Sequence, residues 1–199
     1  MRGRARFWGL GAVLTVGAAL MLLTTFASAA SNGSHHVRWD IIHLANGAPP
    51  GPISAGGHAS AMAANGGDTV TLTGSGTFVA PASGGGSSAA TGGGTWSASG
   101  GGSGTYQVTG LVSWVSAGSQ TGSPFVDNID EGTATNGAAV LKIAFSDGSQ
   151  GVLTVGCHGP GAPAGIFEGI ATTKGYKTYY IVSSPAGGVD ANRTIFHVR

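Results

Sequence analysis

The sequence predicts an all-β, single-domain antiparallel barrel or sandwich of about nine strands with Gly-rich loops. Three observations carry this. Apolar residues recur at every second position in run after run. Of the 199 residues, 38 are glycine, well above the usual ~7%. No segment beyond residue 30 sustains a helical period, and glycine inside a helix costs ~1 kcal/mol relative to alanine. Glycine kinks help a sheet close and closure removes its edges, so a barrel is preferred to a sandwich.

Taken in order, the chain opens with Arg2, Arg4 and Arg6, an apolar stretch from Phe7 to Phe26, and Ala27-Ser28-Ala29-Ala30. A basic start, an apolar middle and a small-x-small end predict a signal peptide over residues 1–30, cut after Ala29 or Ala30. The rival is an uncleaved anchor, since the stretch approaches the ~20 residues that span a bilayer. The Ala-Ser-Ala end has no purpose in an anchor and favours cleavage. The expectation is therefore a secreted domain, residues 31–199, without stable membrane insertion. No cysteine follows the apolar stretch, which argues against a lipoprotein.

Export changes the charge. Three of the nine Lys and Arg residues lie in the leader, which leaves six against eight Asp and Glu. No basic patch remains to neutralise phosphates, which excludes nucleic acid as a partner. The single cysteine, Cys157, excludes an intrachain disulfide.

Strands are expected at Val37–Leu44, Ala59–Ala64 and, from Val70 and Leu72 alternating with threonines, on to Phe78. Others follow at Thr95–Ala98 and through Tyr106, Val108, Val112 and Trp114, which share a parity. Gly74 and Gly110 fall on apolar faces, where a missing side chain permits a bend or bulge. Ala139, Leu141, Ile143 and Phe145 and then Leu153, Val155 and Cys157 flank Asp147-Gly148, a strong hairpin signal. Ile166–Thr173, Tyr176–Val182 and Thr194–Val198 complete the set. Ala48–Pro52, Ser83–Gly94, Ser99–Gly104 and Gly159–Gly165 read as loops, and Asp127–Thr135 as a place for a short helical turn. Gly76-Thr77-Phe78, Gly94-Thr95-Trp96 and Gly104-Thr105-Tyr106 repeat a Gly-Thr-aromatic unit. In a meander each aromatic would cover a glycine of a neighbouring strand.

Chemistry-bearing residues are few. Cys157-His158 pairs a thiol with an imidazole, but adjacent strand residues face opposite ways. The parity of Cys157 with Leu153 and Val155 predicts a buried, inert thiol. His35, His36 and His43, the last on a strand with Asp40, lack a specific metal-ligand spacing. Asp127, Asp130 and Glu131 before Gly132 do not match a calcium loop and read as a solvated acidic turn. Glu168 shares parity with Ile166 and Ile170, which places it against the core unless Gly169 forms a bulge. A buried carboxylate must be paired, hydrogen-bonded or protonated. The glycine runs lack the Lys and helix of a phosphate loop. No catalytic set, metal site or cofactor is assigned. The ligand-binding candidates are Trp96, Trp114, His158 and Glu168, for a small molecule or a polysaccharide, although Trp114 also fits the core.

Gly94-Thr95-Trp96 resembles the Gly-x-Trp of lipocalin-type and avidin-type barrels, where it lies on the first strand. Over most of the mature chain, Thr71–Val79, Ser146–His158, Phe167-Glu168-Gly169-Ile170 and Asn192–Val198 resemble a group of uncharacterised secreted bacterial proteins, which implies export and a bacterial source. A non-catalytic binding or cell-surface module is the first functional expectation. The alternatives are a small-barrel enzyme of isomerase or cyclase type around Glu168 and His158, an apolar-ligand carrier, and a structural envelope or matrix protein. A hollow interior favours enzyme or carrier, and a filled one with exposed aromatics favours surface binding.

Overall fold

Alternation of threonine with aliphatic residues becomes strand almost everywhere it occurs. The computed structural model describes residues 34–45, 50–81, 84–183 and 192–199, so the expected signal peptide and its cut lie outside the described residues. Among the described residues there are thirteen strands: β1 His35–Leu44, β2 Pro52–Ala55, β3 Ala59–Ala63, β4 Thr69–Leu72, β5 Ser75–Ala80, β6 Ala90–Ala98, β7 Ser103–Ser119, β8 Val126–Asp127, β9 Thr133–Phe145, β10 Gln150–Cys157, β11 Gly169–Lys174, β12 Lys177–Ser183 and β13 Thr194–Val198. The excess over about nine has three sources. β2 begins on a proline, β8 has two residues, and the expected run from Val70 to Phe78 divides at Gly74 into β4 and β5.

The fold is all-β, and the sheet closes. Antiparallel pairs lead from β3 through β4, β6, β7, β9, β10, β11 and β12 back to β3. A second circuit shares β6, β7 and β9 and returns through β13, β1 and β5. The wall therefore forks, and Gly74 is one fork point. β4 and β5 keep one register against β6, with Leu72 opposite Trp96 and Ser75 opposite Gly93. On their other side β4 pairs with β3 and β5 with β1. A Cβ at Gly74 would lie 2.1 Å from the Tyr106 hydroxyl, so only glycine fits the kink.

Large side chains fill the interior. Trp39, Leu72, Phe78, Leu141, Leu153, Tyr179 and Phe196 are all buried in one core. Two of the Gly-Thr-aromatic units interlock across β6 and β7. Gly94 faces Tyr106 and Trp96 faces Gly104; the Trp96 indole lies against Gly104, while the Tyr106 hydroxyl reaches on to Gly74. The unit at Gly76 does not join this pair, because Phe78 pairs with Ala90.

Three sequence expectations are corrected. Val112 was expected to share the core face of Trp114, but register shifts between Val108/Gly110 and between Leu111/Ser113 change the parity. Leu111 is buried and Val112 exposed as a result. β6 starts at Ala90, inside the expected loop Ser83–Gly94. The expected helical turn at Asp127–Thr135 is instead β8, a run of bends and the start of β9.

That last segment has a structural task. Residues 120–132 run over the outer face of β1 and β13, where Phe125 and Ile129 pack on Ile42, Leu44, Ile53 and Ile195 to form a second, smaller core. β8 pairs in parallel with β2. Asp127 bonds to His197 at 2.6 Å, and Glu131 pairs with Arg38 and Arg199.

Candidate functional site

Among the described residues, three clefts gather polar side chains. One forms where the ends of β10 and β13 meet the start of β11, and it brings together residues separated in the sequence. Cys157, His158, Glu168, Arg193 and Gln120 line it with Ile42, Ile53, Phe125, Thr194 and Ile195. It has about 20 Å³ of free space, enough for one water molecule.

Glu168 sits just before β11, and Gly169, at φ +105°, turns the chain there. The residue is partly exposed, yet its carboxyl faces inward. One carboxylate oxygen accepts the Thr194 N–H at 2.8 Å and the other the His158 N–H at 2.5 Å. Burial raises the carboxyl above its ordinary range, while those two donors and the charges of Arg193 and His158 pull it back. Both oxygens are thus committed to backbone, and Glu168 ties the end of β10 to the start of β13. Thr194 supports the joint by donating from its hydroxyl to the Gly156 carbonyl.

Cys157 is buried, as its parity predicted. Burial, then the nearby charge of Glu168, pushes the thiol up to about 12. A thiol at that value is not a nucleophile at neutral pH. Gln120 donates to its sulfur at 3.2 Å. His158 points elsewhere. Its Nδ1 lies 2.7 Å from the Ile166 carbonyl, which only accepts, so Nδ1 is the donor there. Glu168 and His158 therefore meet through a main-chain N–H, not through their side chains, and no general acid and base converge on one point here.

The two tryptophan candidates do not form an exposed ligand face. Trp114 is buried against Phe78 and Phe196, with ring centroids 5.6 and 4.5 Å away. Trp96 is 5% exposed, meets Phe145 edge-on, and carries the Lys174 ammonium 4.2 Å above its ring. The alternating positions that made both rings candidates are inward positions of a closed sheet.

The aromatics that do reach solvent are Tyr176 and Tyr180, 93% and 60% exposed. Tyr179 and Tyr180 are neighbours on β12, so burial of Tyr179 turns Tyr180 outward. Tyr176 stands in the two-residue turn between β11 and β12. It borders the second cleft, an open space of about 310 Å³ with Ala63, Ala64, Asn65, Asp68, Lys177 and Thr178. Asp68 accepts from the Lys177 ammonium at 2.6 Å. The sequence placed both tyrosines on an expected strand Tyr176–Val182, but β12 begins at Lys177 and leaves Tyr176 in the turn. The adjacent pair Tyr179-Tyr180 was the available signal.

The third cleft, about 470 Å³, opens on the outer face of β4, β6 and β7. Its walls are Thr71, Thr73, Thr95, Ser97, Ser103 and Thr105, with His58, Trp96 and Gly104. Among the described residues no group of three or more His, Cys, Asp or Glu is placed to hold a metal ion. Asp127 and Glu131 are engaged by His197, Arg38 and Arg199.

Comparison with protein-family models, with curated proteins and with solved structures finds no match.

Proposed function

We propose that this is an exported, non-catalytic binding protein whose ligand is a neutral polysaccharide, engaged on the outer wall of the barrel at the Tyr176 cleft. One observation carries the reading: the interior is packed with side chains while Tyr176, in the turn before β12, stands exposed in an open polar cleft and Tyr180, on β12, is exposed four residues further on. A sugar ring presents a face of C–H groups and a rim of hydroxyls. It therefore needs a flat apolar ring to lie on and nearby donors and acceptors for the rim. Tyr176 supplies the ring in the cleft, and Tyr180 a second exposed ring on β12. Asn65, Asp68 and Lys177 supply the polar groups. A rigid sheet holds them, which keeps the ordering cost of binding low. Burial of the thiol and the backbone commitments of Glu168 support binding over catalysis.

The test is affinity electrophoresis of the mature protein through gels containing hydroxyethyl cellulose, glucomannan or soluble starch. Retardation in at least one gel, lost in Tyr176→Ala/Tyr180→Ala with the circular dichroism spectrum unchanged, supports the reading. Migration unaffected by all three polymers, or retardation that survives the double substitution, refutes it.

A further inference from the structure

We infer that the glycan site continues from the Tyr176 cleft onto the hydroxyl wall of β4, β6 and β7, so that the protein recognises extended neutral chains and not single sugars. This rests on the polysaccharide reading and adds a second subsite and a chain-length requirement.

The wall is built in register. Thr71 lies opposite Ser97, and Ser97 opposite Ser103. In the next row the Thr73 and Thr95 hydroxyls are 2.8 Å apart, and Thr95 lies opposite Thr105. Hydroxyls thus stand in two rows across three strands. Neighbours across the strands are ~4.8 Å apart and the rows ~6.8 Å apart, the intrinsic spacings of a sheet. The threonines are β-branched and hold few rotamers. The Thr95 N–H also donates to the Thr73 hydroxyl at 3.0 Å, which fixes the direction in which that hydroxyl can act. Such an array is ordered before any ligand arrives.

One further feature points to an uncharged ligand at this wall. No Asp, Glu, Lys or Arg lines the cleft, so a charged polymer would find no counter-charge there.

The two clefts follow one another along the chain. Asp68, in the tyrosine cleft, immediately precedes β4, and Thr71, in the hydroxyl cleft, lies three residues further on. That is ~10 Å of extended strand. A disaccharide at the tyrosines fills one cleft, whereas a longer chain enters both. The second contact is then intramolecular and adds affinity without a second loss of translational freedom.

The experiment titrates the mature protein with the disaccharide and the hexasaccharide of the cello-, manno- and malto-oligosaccharide series, following tryptophan fluorescence and heat. In the series that binds, the hexasaccharide should bind at least about tenfold tighter, as two or three added net hydrogen bonds imply. The isosteric variant Thr73→Val/Thr95→Val/Thr105→Val should lose that gain and leave disaccharide affinity unchanged. Tyr176→Ala should weaken both ligands. Equal affinity for the two lengths, or an unaltered length gain in the valine variant, overturns the second subsite and leaves the tyrosine site standing. Absence of binding by every series overturns both.

Discussion

Replacing Glu168 by alanine separates an anchoring carboxylate from a catalytic one. The substitution leaves two main-chain N–H groups, those of His158 and Thr194, without their acceptors. A buried donor left without its acceptor costs about 1–3 kcal/mol. That cost falls on the Thr194 N–H, because Thr194 is buried; His158 is exposed, so its N–H turns to water and loses little. Removing a buried carboxylate also removes the cost of holding its charge. The expected net loss is therefore about 1–2 kcal/mol. Urea unfolding, followed by fluorescence of the buried tryptophans, reads it as a lower midpoint at constant slope. Glu168→Gln keeps one acceptor oxygen and should lose about half as much. The pH dependence has a defined sign. Burial raises the folded carboxyl, so folding binds the proton. The penalty for the charged form is absent below the ordinary glutamate range and grows as pH rises through that range toward the raised folded value. Wild type should therefore lose stability relative to Glu168→Gln as pH increases from about 4. Amide exchange should accelerate at His158 and Thr194 ahead of the core. A Glu168→Ala protein within about 0.5 kcal/mol of wild type, the range of an ordinary surface change, would refute the anchor.

Four other outcomes follow from the same structure. Native Cys157 should react with thiol reagents far more slowly than the urea-unfolded chain. Its thiol is pushed up to about 12, and equal rates in the two states would contradict its burial. At Asp127, burial alone would raise the carboxyl, but the His197 bond and the Ile129 and Asp130 N–H groups bring it below the usual range. That contribution is present above the ordinary carboxylate range and lost as pH falls through the lowered folded value. The unfolding-midpoint gap between wild type and Asp127→Asn should accordingly close in acid. Gly74→Ala puts a methyl 2.1 Å from the Tyr106 hydroxyl and should cost about 2–4 kcal/mol through overpacking and loss of the Tyr106–Thr73 bond; a Tyr106→Phe background should absorb part of that cost in a double-mutant cycle. N-terminal sequencing of exported protein should begin at Ala30 or Ser31, and retention of Met1 would contradict cleavage.

The parts of this fold that were legible in the sequence are those in which local pattern and tertiary packing agree. The Asp147-Gly148 hairpin is the clearest case. Its flanking residues alternate strictly, and Gly148 takes the positive φ that the turn needs. Gly74 and Gly110 were read as irregularities because an apolar parity ran through them, and a fork and a register shift lie at those positions. What alternation does not encode is how often a long strand breaks its own parity. β7 shifts register three times against β9, and each shift can exchange inside for outside. Val112 was misplaced for that reason. β2 and β8 are too short to carry a period at all; they pair with each other beside the second core, to which Ile53 and Phe125 belong.

The site was legible one residue at a time and not as an arrangement. Glu168 was singled out as a carboxylate facing the core unless Gly169 turned it outward; it lies just before β11, and its partners are main-chain N–H groups contributed by Thr194 and His158. Main-chain donors leave no trace in residue identity, so a search for a side-chain partner could not find them. The tryptophans were favoured for size, and size is also what drives a ring into a core: a buried aromatic removes more apolar surface from water than any other residue. In a closed barrel an aromatic at an inward position is structural, and one free to meet a ligand lies at an outward position or in a turn. Tyr176, beside a glycine in a two-residue turn, and Tyr180, next to a buried tyrosine, occupy such positions. The hydroxyl rows follow the same logic. Thr71 and Thr73 were read only as the wet side of an alternating strand, yet pairing β4 with β6 and β6 with β7 turns separate wet sides into one ordered, uncharged surface. Strand order, a property of the whole chain, is what creates that surface.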